Sequence, residues 1–366
     1  MKLLGLIVNP IAGMGGSVGL KGTDGAEIIE EAIDLGARRH SPARTEEFLR
    51  QLSHVESEFE LITYAGMMGE EEALNCGLKP RVLGKVDQKT SRADTIEAAR
   101  LMKETVDIIV FCGGDGTAID IVEVIDAKIP LLGIPAGVKM HSAVFALNPQ
   151  AAARVITEFL YDRAYLSDAE VVDIDEQAYR RGDLSPRIYG YALTPRILDL
   201  VQNMKMPSAE TEDEREDQKG LARSVIDKMI DGVYYILGPG TTVKTIAEIL
   251  GVEKTILGVD ILLNKKIIAK DVNENEILAV VEGKDARIVV SPIGNQFFIF
   301  GRGNQQISPS VIRKIGKSNI IVISTRDKVR KTTLLRVDTG DTELDKQMRG
   351  YIRVVTGYNE ETLMRI

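Results

Sequence analysis

The residues with the most chemistry in their spacing are Cys112-Gly113-Gly114-Asp115-Gly116-Thr117, between the apolar run Val106 to Phe111 and the segment Ala118-Ile119-Asp120-Ile121-Val122. The pattern predicts a strand, a glycine turn and then a helix. Gly113, Gly114 and Gly116 lack Cβ atoms and can take φ > 0, so such a turn can be tight and bring its N–H groups close to a ligand. Thr117, with Asp120 three positions later, fits the start of a helix, with Thr117 as the cap. A helix N-terminus offers unpaired donors and the positive end of the dipole, which suits phosphate. Asp115 conflicts with that cradle, because a fixed negative charge beside phosphate weakens binding unless it coordinates a metal or takes a proton. Phosphoryl transfer to a hydroxyl needs a group that orients the nucleophile and accepts its proton, and Asp115 fits that role.

Other loops carry weaker signals. Gly13-Met14-Gly15-Gly16-Ser17-Val18-Gly19-Leu20-Lys21-Gly22 follows a first strand. It has neither the Gly-Lys-Ser/Thr of a P-loop nor the third glycine of a dinucleotide fingerprint. It is left as a phosphate-wrapping loop or a surface loop. Lys139 lies in the turn after a strand at Pro130 to Ile134 and is a candidate ligand for donor phosphate, whereas His141 in the same turn suits packing or capping. Arg302 and Asn304 lie in Gly301-Arg302-Gly303-Asn304-Gln305-Gln306, after a strand at Phe297 to Phe300 and before a helix at Ser308. They are candidates for a second set of ligands, with a plain surface turn as the alternative. The acidic run within Ser208 to Lys219 suits a solvated loop or helix face.

The elements that must position these residues alternate between strand and helix through the first half, which predicts a parallel sheet with helices on its faces. Strands are expected at Leu4 to Val8, Phe59 to Tyr64 and Arg81 to Leu83. Helices are expected at Ala26 to Leu35, at Pro42 to Leu52 with Ser41 as cap, at Glu70 to Cys76, at Ala93 to Thr105 and from Asn148-Pro149 to Tyr161. Beyond that, strands are expected at Val171 to Ile174, Arg187 to Leu193 and Val233 to Leu237. The last leads through Gly238-Pro239-Gly240-Thr241-Thr242 to a helix ended by Gly251. Further strands are expected near 256–261, 287–292 and 319–323, and Asn273-Glu274-Asn275-Glu276 reads as a loop.

At 366 residues the chain has room for two domains, with 44% hydrophobic and 27% charged residues. A net charge of −8, no tryptophan and 5% aromatics argue against nucleic acid as the principal partner. No apolar run reaches the roughly 20 residues of a membrane span. The start, Met1 to Val8 interrupted by Asn9-Pro10, reads as a strand instead of a signal peptide, so a cytoplasmic protein is expected. Cys76 and Cys112 are too far apart in sequence for a cysteine-pair metal motif, and both are expected as buried thiols.

Taken together, the chain resembles the superfamily of NAD kinases and diacylglycerol kinases, whose signature is Gly-Gly-Asp-Gly-Thr. Asn9-Pro10, Gly133-Ile134-Pro135-Ala136-Gly137 and the stretch from Asp231-Gly232 through Gly238-Pro239-Gly240-Thr241-Thr242 agree with it. The wording of Gly13 to Gly25 and of Pro135 to Pro149 is most similar to ATP- or polyphosphate-dependent NAD kinases related to AcoX proteins. The resemblance implies that Asp115 activates the acceptor hydroxyl and that Gly113, Gly114, Gly116 and Thr117 face phosphate. It places Asn9, Gly137, Gly240, Thr241 and Thr242 near nucleotide. It further implies ATP or polyphosphate as donor, Mg2+, NAD as acceptor and a homo-oligomer. Two departures leave the acceptor open: the downstream Asn-Glu pair that grips the ribose has no convincing equivalent, and glycine replaces the first threonine of the family loop. Another small hydroxyl acceptor, or a nucleotide-binding regulator without catalysis, stays open beside NAD. The expected fold is an α/β domain over residues 1–165 with a parallel sheet, then a β-rich or mixed α/β domain over 166–366, with the active site in the cleft between them.

Overall fold

In the computed structural model, the described residues are 1–16, 18, 30, 32–86, 90–125, 129–136, 140–173, 187–197, 200–201, 212–293, 296–332 and 334–366. They form two compact units, one of Met1–Met14 and Gly22–Met206, the other of Gly15–Lys21 and Pro207–Ile366.

The first unit is built on a parallel sheet of β1 (Lys2–Val8), β2 (Phe59–Tyr64), β3 (Arg81–Leu83), β4 (Ile108–Gly113) and β5 (Leu131–Pro135). The strand order is β3-β2-β1-β4-β5. From β1 the chain winds outward through β2 and β3, then returns to the other side of β1 for β4 and β5. The switch point of the sheet therefore lies between β1 and β4, where open parallel sheets bind ligands. β1 and β4 are continuous apolar runs because both faces are covered, and Leu4, Leu6, Ile7, Val8 and all of β4 are buried.

The helices around this sheet are α1 (Ser41–Gln51), α2 (Glu70–Asn75), α3 (Arg92–Met102), α4 (Asp115–Val122) and α5 (Pro149–Leu160). Local chemistry accounts for their starts. Ser91 and Asp94 form a capping box before α3, and the Asn148 side chain accepts the Ala151 N–H before Pro149 opens α5. Ser41 is not the cap of α1: the cap position is His40, and Ser41 lies inside the helix, where its hydroxyl donates to the Ala12 carbonyl at 3.0 Å. A long antiparallel pair, β6 (Tyr165–Asp173) and β7 (Arg187–Arg196), completes the unit. Of the helix expected from Ala26 to Leu35, residues 30 and 32–35 are described: 30 and 32–34 are helical, Leu35 lies in a turn, and Gly36 follows at φ +83°.

The second unit contains α6 (Glu212–Asp227), β8 (Tyr234–Leu237), α7 (Thr241–Leu250), β9 (Asp260–Leu263), β10 (Lys266–Ala269) and α8 (Glu274–Val281). It continues through β11 (Ala286–Val290), β12 (Phe298–Phe300), α9 (Pro309–Ile315), β13 (Ile320–Ile323) and α10 (Arg326–Arg330). It ends with β14 (Arg336–Val337), α11 (Thr342–Met348), β15 (Tyr351–Gly357) and β16 (Glu360–Arg365). Its main sheet runs β10-β9-β8-β11-β13-β15-β16. The four central strands, β8, β11, β13 and β15, are parallel, and β9, β10 and β16 close the edges antiparallel. This is a mixed α/β domain, as the helices after Thr242 and Ser308 suggested.

The expected loop at Asn273 to Glu276 is instead the start of α8. Asn273 caps it and Glu276 reaches back to the Asn273 N–H, a complete capping box. The acidic stretch from Glu212 onward is α6, whose apolar residues Leu221, Ala222 and Val225 pack beneath it.

Candidate functional site

The switch point of the first unit brings together three loops at the carboxyl ends of β1, β4 and β5. The Asn9 N–H donates to the Cys112 carbonyl at 2.9 Å, and the Ala136 N–H donates to the Gly113 carbonyl at 3.1 Å. Gly13, at φ +79°, sits so close to the Ala136 carbonyl that a Cβ would lie 2.2 Å from the oxygen, so only glycine allows this contact.

Helix α4 begins at Asp115, with Gly114 in the cap position, so Thr117 is not the cap. Its hydroxyl is turned back across the strand end, where it accepts a hydrogen bond from Asn9 Nδ2 at 3.0 Å. Asp120 does not complete a capping box either, because it pairs with Arg92 of α3. None of Gly113, Gly114 and Gly116 has positive φ. Their lack of a side chain serves two other ends. A Cβ on Gly113 would lie 2.5 Å from Thr117 Oγ1, so Gly113 makes room for the Thr117 side chain. Among the described residues, Cβ atoms on Gly114 and Gly116 would meet nothing within 4 Å beyond their chain neighbours and their own helix. Among those residues, the space over the two glycines flanking Asp115 is open.

Asp115 is half-buried in the first turn of α4. One carboxylate oxygen accepts the His141 N–H at 2.8 Å and the other accepts the Ser142 N–H at 2.9 Å. Those donors are held in turn. Gly133 N–H donates to Val144 O, Ala146 N–H to Gly133 O, and Ala143 N–H to Glu170 O of β6. Ser142 Oγ accepts the Val172 N–H at 3.0 Å. The carboxylate is thus fixed in orientation by backbone. His141 contributes its main-chain N–H, and its side chain is buried.

Sequence reasoning passed over Arg44. It is 6% exposed, and its guanidinium donates to the Pro135 carbonyl at the end of β5. The available signal was its place on the α1 face that also buries Ser41, Thr45, Phe48 and Leu49, where a charged residue is out of pattern. Behind it, Cys112 is wholly buried, and burial pushes its thiol up to about 11, so it stays protonated. Cys76, expected to be buried, is half-exposed.

Gly137 and Lys139 lie outside the described residues, as does most of the loop from Gly13 to Gly25. Asn9, Gly113, Gly114, Asp115, Gly116 and Thr117 are brought together in the first unit. The other candidates belong to the second. Gly240 caps α7 at φ +109° and spends its N–H on the Ile256 carbonyl at 2.8 Å, Thr241 is exposed and Thr242 is buried. Arg302 and Asn304 are both 0% exposed. Asn304 closes its own turn, accepting the Gly301 N–H and donating to the Ile299 carbonyl. Arg302 lies 3.5 Å from Asp338 and 5.1 Å from the centre of the Phe298 ring. Among the described residues, no group of three or more His, Cys, Asp or Glu side chains is placed to hold a metal ion. No helix among them is long and apolar enough to cross a membrane.

A comparison with curated proteins found no match. The solved structures similar to this chain include three from Bacillus anthracis str. Sterne that carry diacylglycerol kinase in their titles. Their identities are 17 to 18%, with TM-scores of 0.25. The alignments span 46% of this chain and 43 to 44% of theirs, less than half of either. Family models match far more of the sequence: the ATP-NAD kinase N-terminal domain over residues 4–164 and the ATP-NAD kinase C-terminal domain over residues 230–366. With both domain models matched in order, and with the Gly-Gly-Asp-Gly-Thr turn at the switch point of a parallel sheet, the chain belongs to the NAD kinase family.

Proposed function

We propose that the protein is a kinase that transfers a phosphoryl group from ATP or polyphosphate to the ribose 2′-hydroxyl of NAD, forming NADP. The observation that carries this reading is a carboxylate of fixed orientation between two glycines, Gly114 and Gly116, whose missing side chains leave open space. A plain tight turn needs neither the charge nor the space. A reacting hydroxyl and a phosphate chain need both.

In this reading the 2′-hydroxyl donates its proton to an Asp115 oxygen as its own oxygen attacks the phosphorus. The bond from phosphorus to the leaving phosphate oxygen breaks in the same step. The glycine turn admits the phosphate chain, and Asn9 and Thr117 hold the ends of β1 and α4 at a fixed separation. Taken each by itself, the second unit would offer Gly240, Thr241 and Thr242 to a nucleotide, and the first would offer Gly137 and Lys139. Magnesium would neutralise charge on the donor phosphates. Among the described residues no cluster of His, Cys, Asp or Glu is placed to hold that ion, which fits an ion held mainly by phosphate and water.

Asp115→Asn tests the assignment. Loss of a catalytic base costs ~10² to 10⁴ in rate, and NAD binding should remain measurable by calorimetry. Full turnover in the variant would sink the role given to Asp115. Incubation with ATP or tripolyphosphate, magnesium and a panel of hydroxyl acceptors tests the substrate. NADP formation supports NAD, product from another acceptor alone redirects the specificity, and ligand-induced stabilisation without any product points to a regulator.

A further inference from the structure

The start of helix α1 is tied to all three loops of the switch point. Ser41 Oγ donates to the Ala12 carbonyl after β1 at 3.0 Å. Cys112 Sγ, near the end of β4, donates to the Ser41 carbonyl at 3.5 Å, and the thiol is also hydrogen-bonded to Thr45. Arg44 Nε donates to the Pro135 carbonyl at the end of β5. Ser41, Arg44 and Thr45 are all buried.

Of these ties, the one made by Arg44 is the one that packing does not explain. A guanidinium withdrawn from water is costly, and an apolar side chain would suit a helix face that also buries Phe48 and Leu49. Pro135 supplies the reason. β5 is an edge strand of its sheet, so the backbone groups it turns away from β4 need partners from elsewhere. Gly133 finds them in Val144 and Ala146. The Pro135 carbonyl, next on the same side of the strand, is met by Arg44.

The peptide unit between Pro135 and Ala136 is therefore held at both ends. Its carbonyl accepts from Arg44, and its N–H donates to the Gly113 carbonyl at 3.1 Å. Two supports of Asp115 meet at this peptide. Gly113 leads through the cap residue Gly114 directly into Asp115. The chain that continues from Ala136 carries His141 and Ser142, whose N–H groups hold the two oxygens of the Asp115 carboxylate at 2.8 and 2.9 Å. A shift of the peptide would move the carboxylate against its donors.

We propose that Arg44 is a positioning residue for phosphoryl transfer: through the Pro135–Ala136 peptide it fixes Asp115 relative to His141 and Ser142, and so relative to the acceptor hydroxyl. The inference rests on the kinase reading for what Asp115 does, and on the hydrogen bonds alone for how Asp115 is held.

The test compares Arg44→Met, Arg44→Gln and Leu49→Ala in the full chain. Glutamine Nε2 stands at the same place along the side chain as arginine Nε, so glutamine keeps a donor for Pro135 without the charge, whereas methionine fills the place with no donor. Leu49, buried on the same helix, reports loss of packing alone. Turnover with ATP, magnesium and NAD, or with whichever acceptor the wild type phosphorylates, should fall about tenfold or more in Arg44→Met, since a misplacement of about 1 Å can cost ~10² in rate. Arg44→Gln and Leu49→Ala should both stay within about threefold of wild type, because the donor is kept in one and untouched in the other. Hydrogen exchange at the His141 and Ser142 amides, read by mass spectrometry without substrate, should quicken in Arg44→Met well beyond any change in Leu49→Ala. This second readout needs no activity. A wild type without turnover on any acceptor overturns the kinase reading alone, and the exchange result then decides whether Arg44 holds the donors to Asp115. Should methionine prevent folding, Arg44→Gln carries the test by itself, and a loss of turnover of about tenfold there overturns the role given to Nε. Wild-type turnover in Arg44→Met, an Arg44→Gln as slow as Arg44→Met, or unchanged exchange at His141 and Ser142 also overturns the proposal.

Discussion

Asn9 and Thr117, 108 positions apart, are joined by a hydrogen bond of 3.0 Å that ties the end of β1 to the first turn of α4. Asn9 is bound on both sides of this link, since its Oδ1 accepts the Ile11 N–H and its own N–H donates to Cys112. A double-mutant cycle of Asn9→Ala and Thr117→Val, followed by urea unfolding, should give a coupling of about 0.5 to 1.5 kcal/mol. Additive losses would show that the bond contributes nothing to the fold.

The three glycines around Asp115 should separate by experiment. Gly113→Ala drives a Cβ into Thr117 and should destabilise the protein by about 1 to 3 kcal/mol, with partial rescue by Thr117→Ala. Gly114→Ala and Gly116→Ala meet no other atom of the described residues within 4 Å outside their own turn and helix. Gly116 lies within α4, so alanine there should stabilise the free protein by up to about 1 kcal/mol. Both substitutions should nevertheless lower kcat/KM at least tenfold, about 1.4 kcal/mol of transition-state binding, if phosphate occupies that space. Unchanged kinetics in both variants would remove the phosphate chain from the turn.

Much of this was readable before the structure, for identifiable reasons. The run Ile108 to Phe111 followed by glycines marks a strand emptying into a turn, and alternation of such runs with helices predicts the parallel sheet. What the alternation could not show is order: that β1 and β4 are neighbours, and so that Asn9 meets Thr117, follows from the winding of the whole sheet. Thr117 was misread as a cap because its hydroxyl suits one, while its actual partner lies far away in sequence. Asn273-Glu274-Asn275-Glu276 reads as a loop by composition, while Asn273 followed three residues later by Glu276 is the spacing of the capping box that the structure forms. Arg302 and Asn304 are polar residues in a glycine turn, and composition cannot tell a turn that faces solvent from one whose polar atoms are satisfied inside the protein. The alternation of exposed Tyr351 and Arg353 with buried Ile352 and Val354 is a plain strand signal in the sequence of β15.

The turn before β9 depends on a third close approach. A Cβ on Gly258 would lie 2.1 Å from Asp271 Oδ1 and 2.5 Å from Thr255 Oγ1. Asp260 holds the same turn, accepting from the Thr255 N–H and hydroxyl and from the Asp271 N–H. Since Gly240 donates to Ile256 within this turn, distortion there should reach α7. Gly258→Ala should cost about 1 to 3 kcal/mol in urea unfolding and also weaken ATP binding. Loss of stability with ATP binding intact would uncouple the turn from the helix.

Two buried ionisable groups should shape stability against pH in separate windows. Glu72 on α2 is 1% exposed with Oε2 unpartnered, and burial pushes its carboxyl up to about 7, with Glu71 and Glu46 adding to the effect. Between its ordinary 4.5 and about 7, the folded chain holds a proton that the unfolded chain has lost. Stability contributed by this group is therefore full below 4.5 and falls as pH rises to about 7, by at most about 3 kcal/mol. Lys254 is 7% exposed, donates to the Thr255 and Gly258 carbonyls, and is pushed down to about 8 by burial. Here the unfolded chain holds the extra proton between about 8 and 10.5, so stability rises with pH across that window. Unfolding free energies measured from pH 4 to 10 should show both slopes. Glu72→Gln should flatten the acid window alone and Lys254→Met the alkaline one alone. A wild-type profile without the fall between 4.5 and 7, or one that Glu72→Gln leaves unchanged, would mean that the Glu72 carboxyl is solvated or paired in solution.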